Sequence, residues 1–390
     1  MAFLSGRVSF SRFKVVGGSP KRLDDQLLEK LRAQAIGEQR FVSADHEEVG
    51  WIGGRHLLDR EFDLEKNVLL DCLHFGLRLD GGRVPPDLLR AYVQMEFDAL
   101  RKDQVNSNPR ALARLKKEAV DAARRRADRE LKDGRFRRMR QFPILLDTRR
   151  DVLYCAGTQP AVLERLHPLF KETFGKRLEP LTSGQIANDC AEEGGLARKL
   201  ENLHPAAFVA HPDGEEAPGV YWTAHDPAGR DFLGNEFLLW LWYTLSEHND
   251  TIALPDKTDA SVVIVKQLTL ECPWAENGKE VITSDGPTRL PESRRAIQSG
   301  KLPRKCGLIV SRQDQQYEFS LQAETFNLSA GLLPKIETNG NPRAYFEERV
   351  EQLRHLTETI DLLFRVFLSL RVSSDWPDTL AKMQTWLRKG

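Results

Sequence analysis

The chain has 390 residues, 41% apolar and 29% charged, with 57 basic side chains balanced by 57 acidic ones. This is ordinary globular composition, long enough for two or three domains or one extended fold, and it argues against disorder. No run of about 18 apolar residues is free of charge, so no membrane span is expected.

The start, MAFLSGRVSFSRFKVV, lacks an apolar core long enough for a secretory signal, so the chain reads as intracellular. The five cysteines (Cys72, Cys155, Cys190, Cys272, Cys306) are odd in number, far apart and without a CxxC pair. That spacing opposes both a zinc knuckle and a disulfide framework. The neutral total hides a segregation of charge. Residues 1–150 carry 31 Lys and Arg against 23 Asp and Glu, and the remainder carries 26 against 34. A local excess of +8 attracts a polyanion to one part of the molecule whatever the total.

In chain order, alternating apolar positions predict a strand over Val8–Val16, and a helix follows over Leu23–Ile36. Val49–Ile52 leads to a Gly-Gly turn, with strands expected at Asn67–Leu73 and Phe75–Leu79. Pro85-Pro86-Asp87 opens a helix whose apolar face is Leu88, Tyr92, Met95 and Ala99. The next helix has Asn108 as cap, Pro109 in its first turn and Gly134 at its end. Its apolar stripe is narrow and mostly small: Leu112, Leu115, Ala119, Ala122, Ala123, Ala127 and Leu131. A hairpin is expected from Pro143–Leu146 and Val152–Ala156, then a helix over Ala161–Phe174, then loops over 175–230. Phe232–His248 is a strongly apolar helix whose FLLWLWY segment reads as core, and Val262–Cys272 reads as a strand. Gly307–Ser311 and Tyr317–Leu321 suggest a second hairpin. Asn341 caps a long final helix with the stripe Phe346, Val350, Leu353, Ile360, Leu363, Phe367 and Leu370, and a short helix over Trp376–Arg388 closes the chain. The class is α+β, with hairpins rather than βαβ alternation. The expected regions are 1–150 (an N-terminal α+β region with the basic helix and a tip), 151–230, an inserted helix-strand segment at 231–280, and 281–390, as one intertwined fold.

Residues 110–140 hold 13 Lys and Arg against 5 Asp and Glu. Arg114, Lys117, Arg124, Arg125 and Arg129 project from the polar side of the helix, while Arg135, Arg137, Arg138 and Arg140 lie beyond its end. The planar guanidinium donates two parallel hydrogen bonds to phosphate and stays charged. The bland alternative is a solvated helix with internal ion pairs. Nothing in the run reads bases, so DNA binding would be sequence-tolerant. Phe136 sits inside the arginine cluster, either as an anchor in a small local core or as an exposed aromatic at a loop tip.

Enzyme signatures are sparse. Gly17-Gly18-Ser19-Pro20-Lys21 lacks the Walker A spacing, no GxSxG elbow occurs, and the nine histidines are scattered. No catalytic residue, metal ligand or cofactor is assigned. The enzymatic alternative is a divalent-metal nuclease assembled from dispersed carboxylates such as Asp71, Asp80 and Glu96. A third reading is an interaction scaffold whose basic helix meets an acidic protein.

Several segments, in order, resemble the RdgC family, the recombination-associated DNA-binding proteins of bacteria. They are FSRFKV, the Val-Gly-Trp at 49–51, VPPDLLRAYVQMEFDALRK, GRFRRMRQFPILLDTRRDVLYCAG, LPESRRAIQSGKLPRKCGLIV, YEFSLQ and the last long helix. FLGNEFLLWLWY resembles the longer branch of that family. The resemblance implies a multi-lobed α+β fold with antiparallel sheets and long helices, closed into a ring as a homodimer. Double-stranded DNA would pass through a positively lined channel without sequence preference, with single-stranded DNA a further partner. It implies a cytoplasmic, nucleoid-associated role in recombination that limits access of the RecA recombinase to DNA. It also implies that Phe136 is the aromatic at a dimer gate, and that Lys301, Arg304 and Lys305 are secondary DNA contacts. At the second tip the chain departs from the family, with Ser284-Asp285-Gly286 where a basic residue is usual.

Overall fold

A computed structural model describes residues 3–37, 47–102, 109–210, 220–223, 229–274, 278–337 and 340–389. Its elements are β1 (Val8–Val16), α1 (Asp25–Ala33), β2 (Glu48–Ile52), α2 (Leu64–Asn67), β3 (Val68–Leu69), β4 (Cys72–Gly82), α3 (Pro86–Lys102), α4 (Pro109–Lys132), β5 (Arg137–Asp147) and β6 (Val152–Cys155). There follow α5 (Pro160–Phe174), β7 (Arg177–Pro180), α6 (Ser183–Glu193), α7 (Ala197–Glu201), α8 (Phe232–Glu247), β8 (Thr251–Ala253), β9 (Asp259–Glu271) and β10 (Lys279–Ser284). The last are α9 (Pro291–Gln298), β11 (Leu302–Arg312), β12 (Gln315–Gln322), β13 (Leu328–Leu332), α10 (Pro342–Arg371) and α11 (Trp376–Arg388). The class is α+β, as expected. Among the described residues no helix is long and apolar enough to cross a membrane.

The chain forms two compact units. One comprises Met1–Leu28, Asp63–Phe75 and Pro143–Gly390; the other comprises Glu29–Phe62 and Gly76–Phe142. In the first, an antiparallel sheet runs in the order β10-β9-β11-β12-β13-β1-β6-β5, with β7 added to β1 and β8 to β9. The apolar helix α8 is buried from Phe232 to Tyr243. Phe237 packs against Phe326, Phe364 and Phe367, at ring separations of 6.0, 5.4 and 5.9 Å. The FLLWLWY segment is therefore core. The α10 stripe is buried at Val350, Leu353, Ile360, Leu363 and Phe367, and half-buried at Phe346 and Leu370.

In the second unit, Glu48–Ile52 of β2 pairs antiparallel with Gly76–Asp80 of β4. The Val-Gly-Trp segment has a steric reason. A Cβ on Gly50 would lie 2.5 Å from the Ile36 backbone nitrogen, so only glycine allows that close approach. Trp51 beside it is fully buried. Helices α3 and α4 pack as an antiparallel pair, because Tyr92 near the start of α3 meets Glu130 near the end of α4. Gly134, at φ +79°, turns the chain out of α4 in the left-handed conformation that glycine adopts without strain.

Several expectations are corrected. The strands predicted at Asn67–Leu73 and Phe75–Leu79 are a helical turn (α2), the two-residue β3 and one continuous strand, β4. Residues 175–230, expected as loops, contain β7, α6, α7 and a 3-10 turn at Tyr221–Thr223. The hairpin strand expected from Pro143 begins at Arg137, and α1 is shorter than its predicted span. On α3 only Tyr92 is buried, whereas Met95 and Ala99 are exposed. The cap expected at Asn108 lies outside the described residues.

Candidate nucleic-acid interface

The site is built on α4, whose buried residues are Leu115, Ala119, Ala123, Ala127 and Glu130. The spacing of four puts these on one face, and small side chains let α3 approach closely. The opposite face is left to charge. Arg114, Lys117, Arg124, Arg125 and Arg129 are all exposed. A carboxylate stands four residues from every one of these cations, at Glu118, Asp121, Asp128 and Asp133. Even so, Arg114, Lys117, Arg124 and Arg125 form no ion pair among the described residues. The Arg129 Nε reaches only the Arg125 carbonyl, at 3.4 Å. Within α4 the internal pair of Arg126 with Glu130 forms, but Arg114, Lys117, Arg124 and Arg125 take no part in such pairing among the described residues.

The base of the hairpin is held by Glu130. Tyr92 donates its hydroxyl to Glu130 Oε2 at 2.6 Å, and Arg126 and Arg135 approach Oε1 at 3.5 and 3.4 Å. The Arg126 guanidinium also lies 4.2 Å from the centre of the Tyr92 ring. The Tyr92 hydrogen bond, aided by Arg135 and Arg126, holds the Glu130 carboxyl below its ordinary value. The same bond raises the Tyr92 hydroxyl.

Beyond Gly134 the arginines behave differently from those on α4. Arg137, Arg138 and Arg140 lie on strand β5 rather than in a loop. Arg137 Nη2 contacts Asp80 Oδ2 at 2.6 Å and Glu48 Oε2 at 2.9 Å, and Arg140 Nη2 lies 3.4 Å from Glu47. Asp80, whose side chain is only 1% exposed, also takes a bidentate pair from Arg78 at 2.7 Å. Arg138 is exposed and has no ion pair among the described residues. Phe136 lies in the turn between α4 and β5 and is half-buried, intermediate between its two sequence readings. The pairing of these acids escaped the sequence reading because they lie 57 to 93 residues from the arginines they hold.

No family model matches the chain, and no curated protein matches it.

The secondary candidates divide. Lys301 is buried and paired with Glu280. Arg304 is half-buried between Glu271 at 3.0 Å and Glu324 at 2.6 Å, with its guanidinium 4.3 Å from the Trp222 ring centre. Both cations are spent inside the first unit and are poorly placed to meet a phosphate. Lys305 alone has no hydrogen bond or ion pair among the described residues, and it lines a cleft. Asp285, at the second tip, is exposed after β10.

The carboxylates named for a nuclease are largely engaged. Asp80 is held by Arg78 and Arg137. Asp71, Cys72 and Asp147 form the one cluster of possible metal ligands among the described residues. Arg354 fills that cluster: its Nε and Nη2 donate to Asp147 at 2.7 and 2.9 Å, and Nη2 also contacts Asp71 and Cys72. Burial opposes ionisation of Asp71, but the Arg354 hydrogen bond and charge leave its carboxyl below the ordinary value. A guanidinium occupies the place a cation would take.

Proposed function

We propose that the chain is a non-catalytic, sequence-tolerant binder of double-stranded DNA. The observation that carries this reading is the outer face of α4, where Arg114, Lys117, Arg124 and Arg125 stand exposed without carboxylate partners among the described residues. The second unit as a whole carries 23 Lys and Arg against 17 Asp and Glu, a net of +6. Unpaired arginines on a rigid helix are suited to phosphate oxygens, and no base-reading arrangement accompanies them. The ordered resemblance to the RdgC family adds the biological setting: a ring-shaped homodimer on nucleoid DNA that limits recombinase access.

Fluorescence anisotropy of a labelled duplex across a salt series tests the reading. Affinity is expected to fall linearly on a log–log plot, by about 0.9 of slope for each phosphate neutralised. Replacing Arg124 and Arg125 by Ala should lower the slope by about 1.8 and weaken binding to unrelated sequences alike. Binding that is absent at low salt, or indifferent to salt, overturns the reading. Duplex degradation that requires Mg²⁺ and stops with EDTA replaces it with the nuclease alternative.

A further inference from the structure

We infer that the cleft beside β11 and β12 is a binding site for a phosphomonoester of nucleotide size. The cleft has a volume of about 450 Å³, and Thr158, Trp222, Lys305, Glu324, Asn327 and Ser329 are among its lining residues. This inference stands apart from the DNA reading, because every one of these residues belongs to the first unit and the basic helix belongs to the second.

The walls are fixed by a polar network centred on Glu324. Glu324 Oε1 accepts from Asn235 Nδ2 at 2.7 Å and forms an ion pair with Arg304, 2.6 Å from its Nε, and Oε2 accepts from Gln322 Nε2 at 2.8 Å. Asn235 is fully buried, accepts from the Trp222 indole N–H at 3.2 Å and donates to the Pro303 carbonyl at 2.8 Å. Arg304 stacks on Trp222. The acid, the arginine and the indole are therefore locked before any ligand arrives, which lowers the ordering cost of binding.

What the network leaves over defines the ligand. The side chains of Lys305, Thr158, Asn327 and Ser329 make no hydrogen bond among the described residues, and all four are half-buried along the same cleft. Together they offer an ammonium, two hydroxyls and an amide. A carboxylate has two oxygens to meet them, whereas a phosphomonoester presents three strong acceptor oxygens and close to two charges. Of the two acids that line the cleft, Glu324 already has both oxygens engaged, and Asp231 Oδ1 accepts from the Gly184 N–H at 3.0 Å. A bare phosphate would fill a small part of a cleft that falls in the size range of whole-ligand sites. The remaining volume borders Trp222, whose indole suits the ring of a nucleoside.

The chemistry is the same for a free mononucleotide and for the terminal nucleotide of a strand, and the experiment separates them. Calorimetric titration of the full chain with dAMP, adenosine and inorganic phosphate should give saturable dAMP binding, with the other two at least tenfold weaker. Lys305→Ala should weaken dAMP at least tenfold while leaving the thermal unfolding midpoint in place. The pair Asn327→Ala with Ser329→Ala is a second probe should the first variant misfold, and it should weaken dAMP similarly. Competition by a 5′-phosphorylated oligonucleotide, but not by its unphosphorylated form, assigns the strand end; absence of competition assigns the free nucleotide. Arg124→Ala with Arg125→Ala should leave dAMP binding unchanged, so this site and the duplex interface fail separately. No saturable dAMP binding at millimolar concentration, or equal affinity in the wild type and folded Lys305 and Asn327/Ser329 variants, overturns the inference.

Discussion

Arg137 and Arg140 already have acidic partners within the chain. The Arg137 guanidinium is held by Asp80 and Glu48, and Arg140 by Glu47, with both arginine side chains still nearly half exposed. A phosphate approaching β5 must compete with Glu47 and Glu48, which act as built-in occupants of the arginine forks. Exposed pairs of this kind contribute about 0–1 kcal/mol each. Their removal therefore alters affinity modestly and in a direction opposite to most interface changes. Replacing Glu47 and Glu48 together by Gln should tighten duplex binding about two- to fivefold at moderate salt, since release of the arginines and loss of two negative charges act together. Unchanged or weaker binding in an anisotropy titration would mean that these arginines serve the sheet and not DNA. Asp80 is a poor choice for the same test, because its buried carboxylate also anchors Arg78.

At the scale of elements, periodic helices were legible and irregular ones were not. The basic helix α4, the aromatic α8 and the long α10 follow from apolar spacing alone, because burial on one face leaves a mark every three or four residues. The α6 helix carried a signal that the Gly- and Pro-rich composition around it obscured. Thr182 and Gln185 have the spacing of a capping box, and the Thr182 hydroxyl accepts from the Gln185 N–H at 3.2 Å. Strand β4 was read as broken at His74, a polar residue buried within it, and as ending before Asp80, which is also buried and is held by Arg78 on the same strand and by Arg137 of β5. For the candidate site, the cations were visible but the acids that restrain them were not, and nothing local marks Thr158, Asn327 and Ser329 as neighbours. The α3–α4 pair gives a test at its own scale. Its base depends on an ionised Glu130 whose carboxyl is depressed by Tyr92, Arg135 and Arg126. A depressed folded value means that the stabilisation is fully present above the unfolded carboxyl value of about 4.3 and is lost as pH falls through the folded value. Protection of the α3 and α4 amides, measured against their intrinsic exchange rates, should therefore fall below that range, and Glu130→Gln should resemble wild type in acid while being less protected than wild type near neutrality. An acid response that persists unchanged in Glu130→Gln would place the titrating group elsewhere.

At the scale of the whole molecule, net positive charge gathers in the second unit, whereas exposed apolar side chains occur in both: Leu58, Met95 and Met139 in the second, and Leu64, Leu70, Tyr221, Val263, Val281 and Leu332 in the first. The second unit carries the net positive charge, and it also exposes Met95 and Met139 and leaves Phe136 half-buried in the turn that follows α4. Cationic surface is expected for a DNA binder, but it does not account for apolar side chains left facing water beside it. A second copy of the chain would cover such residues, and a two-fold contact needs only one patch to complement itself. The homodimer proposed from the family resemblance thus makes a demand on Phe136 in particular. Light scattering at micromolar concentration should give twice the 44.4 kDa chain mass. Phe136→Ala should shift the population toward the single-chain mass with no loss of helix by circular dichroism, because the side chain is only half-buried within its own chain. Duplex affinity in that variant should retain its salt slope, since the α4 cations are untouched, while the complex dissociates faster. A wild-type monomer across that concentration range would remove the closed ring and leave the α4 interface to act alone.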